Sequence, residues 1–305
     1  NRNDLSVARR RNSTTISPSR EFNSFLMPPL ATSDQLRTRP RIKISSVKFS
    51  PLKFFTAELV SEALYKGLRQ SEAMMKKIGI LTGGGDAPGL NGIIEACARG
   101  LIGQGHRLFG IHDGFEGIFS GQISELTLDS VMGLHSRAGT VIGTSNKSGT
   151  RGRESEFLQK YSELKLDGLI VAGGDGTFQG MRPFEKQIKV IGVPKTIDND
   201  LSGTDLTFGF DTACSVVAEA LDSLRATAEA HHRVIVVETM GRTAGWIALG
   251  GGLAGYADAI LIPEKPFVRD ALKRFLVTEK ARGRRGLVIA VSEGAFAQGE
   301  SPKVA

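Results

Sequence analysis

Residues 76–92 read KKIGILTGGGDAPGLNG: a short apolar run, three glycines, then the first residues of a longer apolar segment. The run is long enough for one buried strand, and the glycine turn after it predicts a passage from strand into helix. The same pattern recurs along the chain. RLFGIHDG, LDGLIVAGGDG, KVIGVPKT, RVIVVET, ADAILIPE and GLVIAVSEG are further short apolar runs, each ending in Gly, Asp, Thr or Glu. Between them the spacing predicts helices over about 90–101, 154–165, 212–230 and 269–282. The third carries Ala213, Val216, Val217, Ala220, Leu221 and Leu224 at helical intervals. Strands alternating with helix-length segments are the mark of βαβ units, so the chain is expected to be α/β with mainly parallel sheets.

At 305 residues and 40% hydrophobic composition the chain can fill two cores of ordinary domain size. No apolar stretch reaches the roughly 18 residues that a membrane helix needs, so no membrane partner is expected. The two cysteines, Cys97 and Cys214, suit neither a disulfide framework nor a zinc site, and a reducing, cytoplasmic compartment is the expectation. The net charge of +7 is unevenly spread: residues 1–50 hold ten Arg or Lys against three acids, while the remaining 255 balance at 29 of each sign. A basic arm for nucleic acid would want aromatic stacking residues beside it, and none accompany this one, so no nucleic-acid partner is expected. Residues 1–73 are instead expected to be a basic presequence, which would direct the protein to an organelle such as a plastid, or a read-through upstream of Met74 and Met75.

In open α/β sheets, ligands sit beyond the carboxyl ends of the strands, and four of these ends are chemically unusual. TGGGDAPGLNG (82–92) lets bare backbone approach a ligand at a helix start, suited to a phosphate or simply to a tight turn; it is neither a Walker A loop nor a dinucleotide fingerprint. AGGDGTFQG (172–180) sets Asp175 among Gly173, Gly174 and Gly176. That carboxylate would hold Mg²⁺ beside a polyphosphate, or cap the next helix. PKTIDND (194–200) brings Lys195, Thr196, Asp198 and Asp200 within seven residues. On an extended backbone the two carboxylates share a face, where repulsion raises one toward a general base's range; the alternative is a solvated acidic turn. ETMGRTAGW (238–246) places Arg242 between a strand and a helix, able to grip an anion through a paired hydrogen bond or to make a surface salt bridge.

In this order and spacing the motifs, from about Lys76 to Glu293, resemble those of the phosphofructokinase superfamily. The resemblance implies two Rossmann-like three-layer domains: a donor-binding domain over 74–209 and a sugar-phosphate domain over 210–305, the second incomplete and the chain therefore a fragment. It implies Mg²⁺-dependent transfer of a phosphoryl group to the 1-hydroxyl of fructose 6-phosphate. Asp198 matches the base, with Thr196 and Asp200 beside it and Arg242 acting with them. Gly84 matches a phosphate-loop glycine; Gly174, Asp175, Gly176 and Thr177 match the donor and metal segment, with Asp175 on the metal. Met240, Gly241, Arg242 and Glu293 match the sugar-phosphate pocket, and Arg233 an arginine that serves a neighbouring subunit in family tetramers. A homo-oligomer, dimer or tetramer, is implied as well.

For the donor, relatives that use pyrophosphate tend to carry Asp after the metal Asp and Lys before the Thr of the third motif, where ATP users have Gly. This chain mixes the two, with Gly176 and Lys195. Glycine at 176 leaves room for a nucleotide's inner phosphate, so ATP is the expected donor, with pyrophosphate the alternative. Asn146 and Lys147 stand at a nucleotide-contact position where bacterial ATP enzymes have Arg and Phe. Glu95 replaces an arginine of the bacterial ADP effector site, a charge reversal that argues against regulation of that type. A diacylglycerol or NAD kinase relative would share GGDGT but not PKTIDND and MGR, and a silent regulatory subunit would be expected to lose Asp175 or Asp198.

Overall fold

The computed structural model describes residues 75–147 and 149–301, all within one compact unit; the reading of 1–73 lies outside the described residues. Six strands make the first sheet: β1 (Lys77–Thr82), β2 (Arg107–Ile111), β3 (Ile123–Leu126), β4 (Gly168–Gly173), β5 (Val190–Thr196) and β6 (Phe208–Gly209). Their spatial order is β3-β2-β1-β4-β5-β6, parallel throughout except for antiparallel β3 on β2. Chain order reverses between β1 and β4, so the connections leaving these two strands diverge and open a crevice at their carboxyl ends.

Alternation along β1 feeds two cores. Ile80 packs with Leu90, Ile94 and Leu101 of helix α1 (Leu90–Ile102) on one face. Leu81 faces the other side with Phe157 and Phe184. Phe157 lies on α4 (Glu154–Leu164), after α2 (Glu116–Ser120) and α3 (Leu128–Val131), and is fully buried, stacked 4.3 Å from Phe184 and edge-on to Phe115 and Phe119. Its replacement by Ala would cost about 3–5 kcal/mol. Short α5 (Asp175–Met181) leads from β4 toward β5.

The second sheet holds β7 (Val234–Thr239), β8 (Ala259–Leu261) and β9 (Leu287–Ser292), parallel in the order β7-β9-β8. On its core side lie Leu221 and Ala228 of α6 (Phe210–Ala230), with Val288 and Ala290 of β9. Helix α7 (Trp246–Ala254) runs against α6, and α8 (Arg269–Ala281) precedes β9.

All seven expected strands and four expected helices occur, with ends shifted by up to three residues. Strands β3 and β6 and helices α2 and α3 were not anticipated, being too short to show a period, and α5 was expected only as the unbounded helix that Asp175 would cap. Helix α7, WIALGGGLA, was expected only as an unbounded helix after Arg242, because three successive glycines weaken helix propensity. Packing overrides that cost. A Cβ on Gly250 or Gly251 would stand 2.8 Å from Cys214 Sγ or 2.6 Å from Val217 Cβ, so α7 lies on α6 at a distance that side chains would forbid.

Candidate active site

Three strand ends of the first sheet meet the end of β7 around a cleft of about 700 Å³. After β1, Gly83 donates its N–H to Ala172 O on β4 (2.9 Å) and Gly84 donates to Ser145 O (3.1 Å). Thr144 Oγ1 donates to Gly84 O at 2.7 Å, and Thr82 Oγ1 to Gly143 O at 2.6 Å. The glycine turn is thereby laced to segment 143–147, which brings Asn146 and Lys147 to the cleft wall. Buried Thr177 lies under the turn, where a Cβ on Gly83 would meet it at 2.6 Å.

After β4, Gly174 precedes α5 and Asp175 is its first residue, exposed in the cleft with Oδ2 accepting from Gln179 Nε2 at 2.6 Å. Gly174, Gly176 and Thr177 line the same wall. A Cβ built on Gly176 meets nothing within 4 Å, so a side chain there would project into open cleft. Among the described residues no three His, Cys, Asp or Glu gather into a metal cage. One cleft carboxylate beside bare backbone fits Mg²⁺, which binds through one or two protein carboxylates and completes its shell with phosphate oxygens and water.

At the end of β5, Lys195 is buried, with Nζ donating to Gly85 O at 2.6 Å. Burial pushes its pKa down, against the nearby charges of Asp86 and Asp198. Thr196 Oγ1 accepts the Asp198 N–H at 3.1 Å, and Thr196 O accepts from Thr207 Oγ1 at 2.6 Å. Asp198 and Asp200 share the cleft, though not through an extended backbone: the strand stops at Thr196 and Asn199 turns left-handed at φ 51°, braced by Thr207 N–H on its Oδ1 (3.0 Å). The turn, rather than strand alternation, brings the two carboxylates together. Asp198 Oδ1 is buried with no hydrogen-bond partner among the described residues. Burial, then the charges of Asp200 and Glu293, raise the Asp198 pKa; Arg242 and Lys195 oppose them.

The second sheet supplies Met240 and Arg242. Gly241 has φ 140°, a conformation that side chains resist, and a Cβ there would lie 2.3 Å from Ala244 O. Glu293, just past β9, accepts the N–H groups of Gly241 (3.1 Å) and Arg242 (2.7 Å). Gly241 and Glu293 therefore shape the Arg242 turn from behind the cleft lining. Arg233 lies elsewhere. It precedes β7, exposed, at the opposite end of that strand from Met240, about 20 Å along the chain at strand rise.

The cleft also takes in Asp86, Phe115, Ser145 and Ile197, which the sequence reading did not single out. Phe115 follows the end of β2, so the strand-end rule applied to GIHDGF would have found it. Ser145 carries no such signal, because its carbonyl rather than its side chain holds Gly84.

A family model described as phosphofructokinase matches residues 77–305. The chain is similar to an ATP-dependent 6-phosphofructokinase 2 of Clostridium perfringens, 44% identical over 237 residues that cover 72% of this chain and 65% of that protein. It is similar also to an ATP-dependent 6-phosphofructokinase of Chloroflexus aurantiacus, 46% identical over 238 residues, 74% of this chain and 67% of that one. The chain thus spans about two thirds of the length of these curated relatives. Among solved structures, a phosphofructokinase from Saccharomyces cerevisiae superposes with a TM-score of 0.68 at 34% identity, over 74% of this chain and 35% of that chain. A pyrophosphate-dependent phosphofructokinase from Marinobacter aquaeolei shares the fold at 24% identity (TM-score 0.62, 73% of this chain and 62% of that one).

Proposed function

Since the chain belongs to the phosphofructokinase family, we propose that its cleft transfers the terminal phosphoryl group of ATP to the 1-hydroxyl of fructose 6-phosphate, giving fructose 1,6-bisphosphate. The observation that carries this reading is Asp198: a carboxylate with one buried oxygen that none of the described residues satisfies and a raised pKa, between a glycine-lined wall and Arg242. Such an oxygen is held ready for a proton that arrives with the substrate.

In the proposed reaction the sugar oxygen attacks the terminal phosphorus, the bond from that phosphorus to the ADP oxygen breaks, and the hydroxyl proton passes to Asp198. Thr196 fixes Asp198 through its N–H, and burial, then Asp200, keep the carboxyl basic enough to take the proton. Arg242 pairs with the sugar phosphate, its backbone held by Glu293. The N–H groups of Gly83 and Gly84 are bonded within the wall, and the turn presents the backbone of Gly85 and Asp86 to the polyphosphate, with Asn146, Lys147, Gly174 and Thr177 beside it. Asp175 would hold Mg²⁺, which when bound spreads the charge of the transferring phosphate oxygens.

ATP is favoured as donor by Gly176, where the open cleft accepts a nucleotide's inner phosphates, and by the ATP-dependent relatives. Lys195, the feature in common with pyrophosphate users, is engaged with Gly85 O. Arg233 is proposed to act on the cleft of another copy in a homo-oligomer, since it stands away from its own. No described helix is long and apolar enough to cross a membrane. The test is turnover of fructose 6-phosphate by the complete protein with Mg²⁺ and either ATP or pyrophosphate. Turnover with ATP is expected; turnover with pyrophosphate alone would overturn the donor assignment, and none with either would overturn the reaction.

A further inference from the structure

Helix α1 carries two polar side chains on its buried face. Asn91 and Glu95, one turn apart, are 4% and 3% exposed. Both are spent on the same stretch of chain. Asn91 Nδ2 donates to Arg137 O (3.1 Å) and Ala138 O (3.3 Å), and its Oδ1 accepts the Val141 N–H at 2.8 Å. Glu95 Oε2 accepts the His135 backbone N–H at 2.9 Å and meets His135 Nδ1 at 2.8 Å, while Oε1 pairs with Arg99 at 2.7 Å. Buried polar groups are costly unless fully bonded, so this face of α1 has one low-energy arrangement with segment 135–141.

That segment continues into the wall of the cleft. Gly143, Thr144 and Ser145 bond the glycine turn, and Asn146 and Lys147 line the cavity. Asn91 itself is the second residue of α1, directly after the turn that ends at Gly89. One amide therefore ties both halves of the donor wall: the turn through its own helix, and segment 141–147 through Val141.

We propose that Asn91, supported by Glu95, is a positioning residue for the phosphoryl donor, setting the gap between the glycine turn and Asn146–Lys147 without touching either substrate. The inference rests on the kinase reading above and assigns the donor side of that cleft a determinant away from its surface. It acts on donor affinity and leaves the sugar side, built from β5, β7 and β9, alone.

The experiment compares the complete protein with its Asn91→Ala and Glu95→Gln variants. It measures KM for MgATP and for fructose 6-phosphate, kcat, calorimetric MgADP binding, and hydrogen exchange in segment 135–147 and in the central strands. For Asn91→Ala the expected result is about a tenfold rise in KM for MgATP and in the MgADP dissociation constant. KM for fructose 6-phosphate and kcat should stay within about twofold. Exchange should quicken in 135–147 and not in β1 or β4, and Glu95→Gln should move the same quantities less. The proposal is overturned if both KM values rise together, if MgADP binding is unchanged, or if the central strands lose protection with the segment, since Asn91 would then hold the fold in general. A wild-type protein that turns over no ATP would fail the kinase reading instead; the exchange pattern would still report on the clamp.

Discussion

Glu293 accepts the backbone N–H of Arg242 at 2.7 Å, so an acid from the end of β9 holds in place the main chain of a cation at the end of β7. The pair is not an ordinary ion pair. Carboxylate and peptide fix where the arginine starts, and the left-handed Arg242 backbone, φ 52°, turns its side chain to the cleft.

That arrangement depends on Gly241. Gly241→Ala would place a methyl group 2.3 Å from Ala244 O in an already strained conformation. The expected outcome is a loss of about 2–4 kcal/mol of stability and a raised KM for fructose 6-phosphate with KM for MgATP unchanged. Denaturant unfolding and steady-state kinetics check it, and an unaltered sugar KM would detach the turn from substrate binding.

Asp198→Asn should lower kcat by about 10²–10⁴-fold while fructose 6-phosphate still binds. The same change should stabilise the protein. Because burial and Asp200 raise the native carboxyl's pKa, the folded state holds its proton more tightly than the unfolded state, and stability attributable to this group falls as pH rises through that range. An amide has no charge to desolvate, so a higher Tm at neutral pH is expected. In the wild type the acid limb of the kcat profile should lie above the ordinary aspartate pKa of about 4. Calorimetry and a pH–rate profile measure both.

Gly176→Asp tests donor choice with little risk to the fold, since a Cβ at that position meets nothing within 4 Å. A carboxylate there would face the phosphates of the nucleotide. KM for MgATP should rise by more than about tenfold, with KM for fructose 6-phosphate and Tm nearly unchanged; unaltered ATP kinetics would show that position 176 does not face the donor.

How much of this was legible in the sequence follows from the range of each interaction. The strands and the motifs at their ends could be read because their apolar runs and glycine turns are local signals, and the cleft gathers Gly84, Asp175, Asp198 and Arg242 as the strand-end rule implies. Hidden were the features decided by distant partners. The grip of Lys195 on Gly85, the hold of Glu293 on Arg242 and the glycine-mediated seating of α7 on α6 leave no periodic trace. The Asp198–Asp200 relation was anticipated for a different geometrical reason, because the strand ends at Thr196 and Asn199 turns left-handed where spacing alone implied extended backbone.

Glu95 gives a second pH test, at the acid end. His135 first, then Arg99, hold its carboxyl at about 2 against 4.5 unperturbed. The unfolded chain therefore takes up the proton first, and the stability this group lends is complete above about pH 4.5 and lost as pH falls toward 2. Glu95→Gln should flatten that part of the stability curve, and acid titrations followed by circular dichroism would reveal an unchanged limb if the carboxyl contributes nothing.

The hydrogen bond from Lys195 to Gly85 spans 110 positions of sequence. No early hairpin or single helix can form it, so during synthesis the glycine turn exists without its anchor until β5 has joined the sheet. Ligand competence should consequently appear late and all at once in a refolding time course, lagging the recovery of helical signal. Contacts of such separation are also slow to close, which makes this lysine a natural place to look for the step that limits folding.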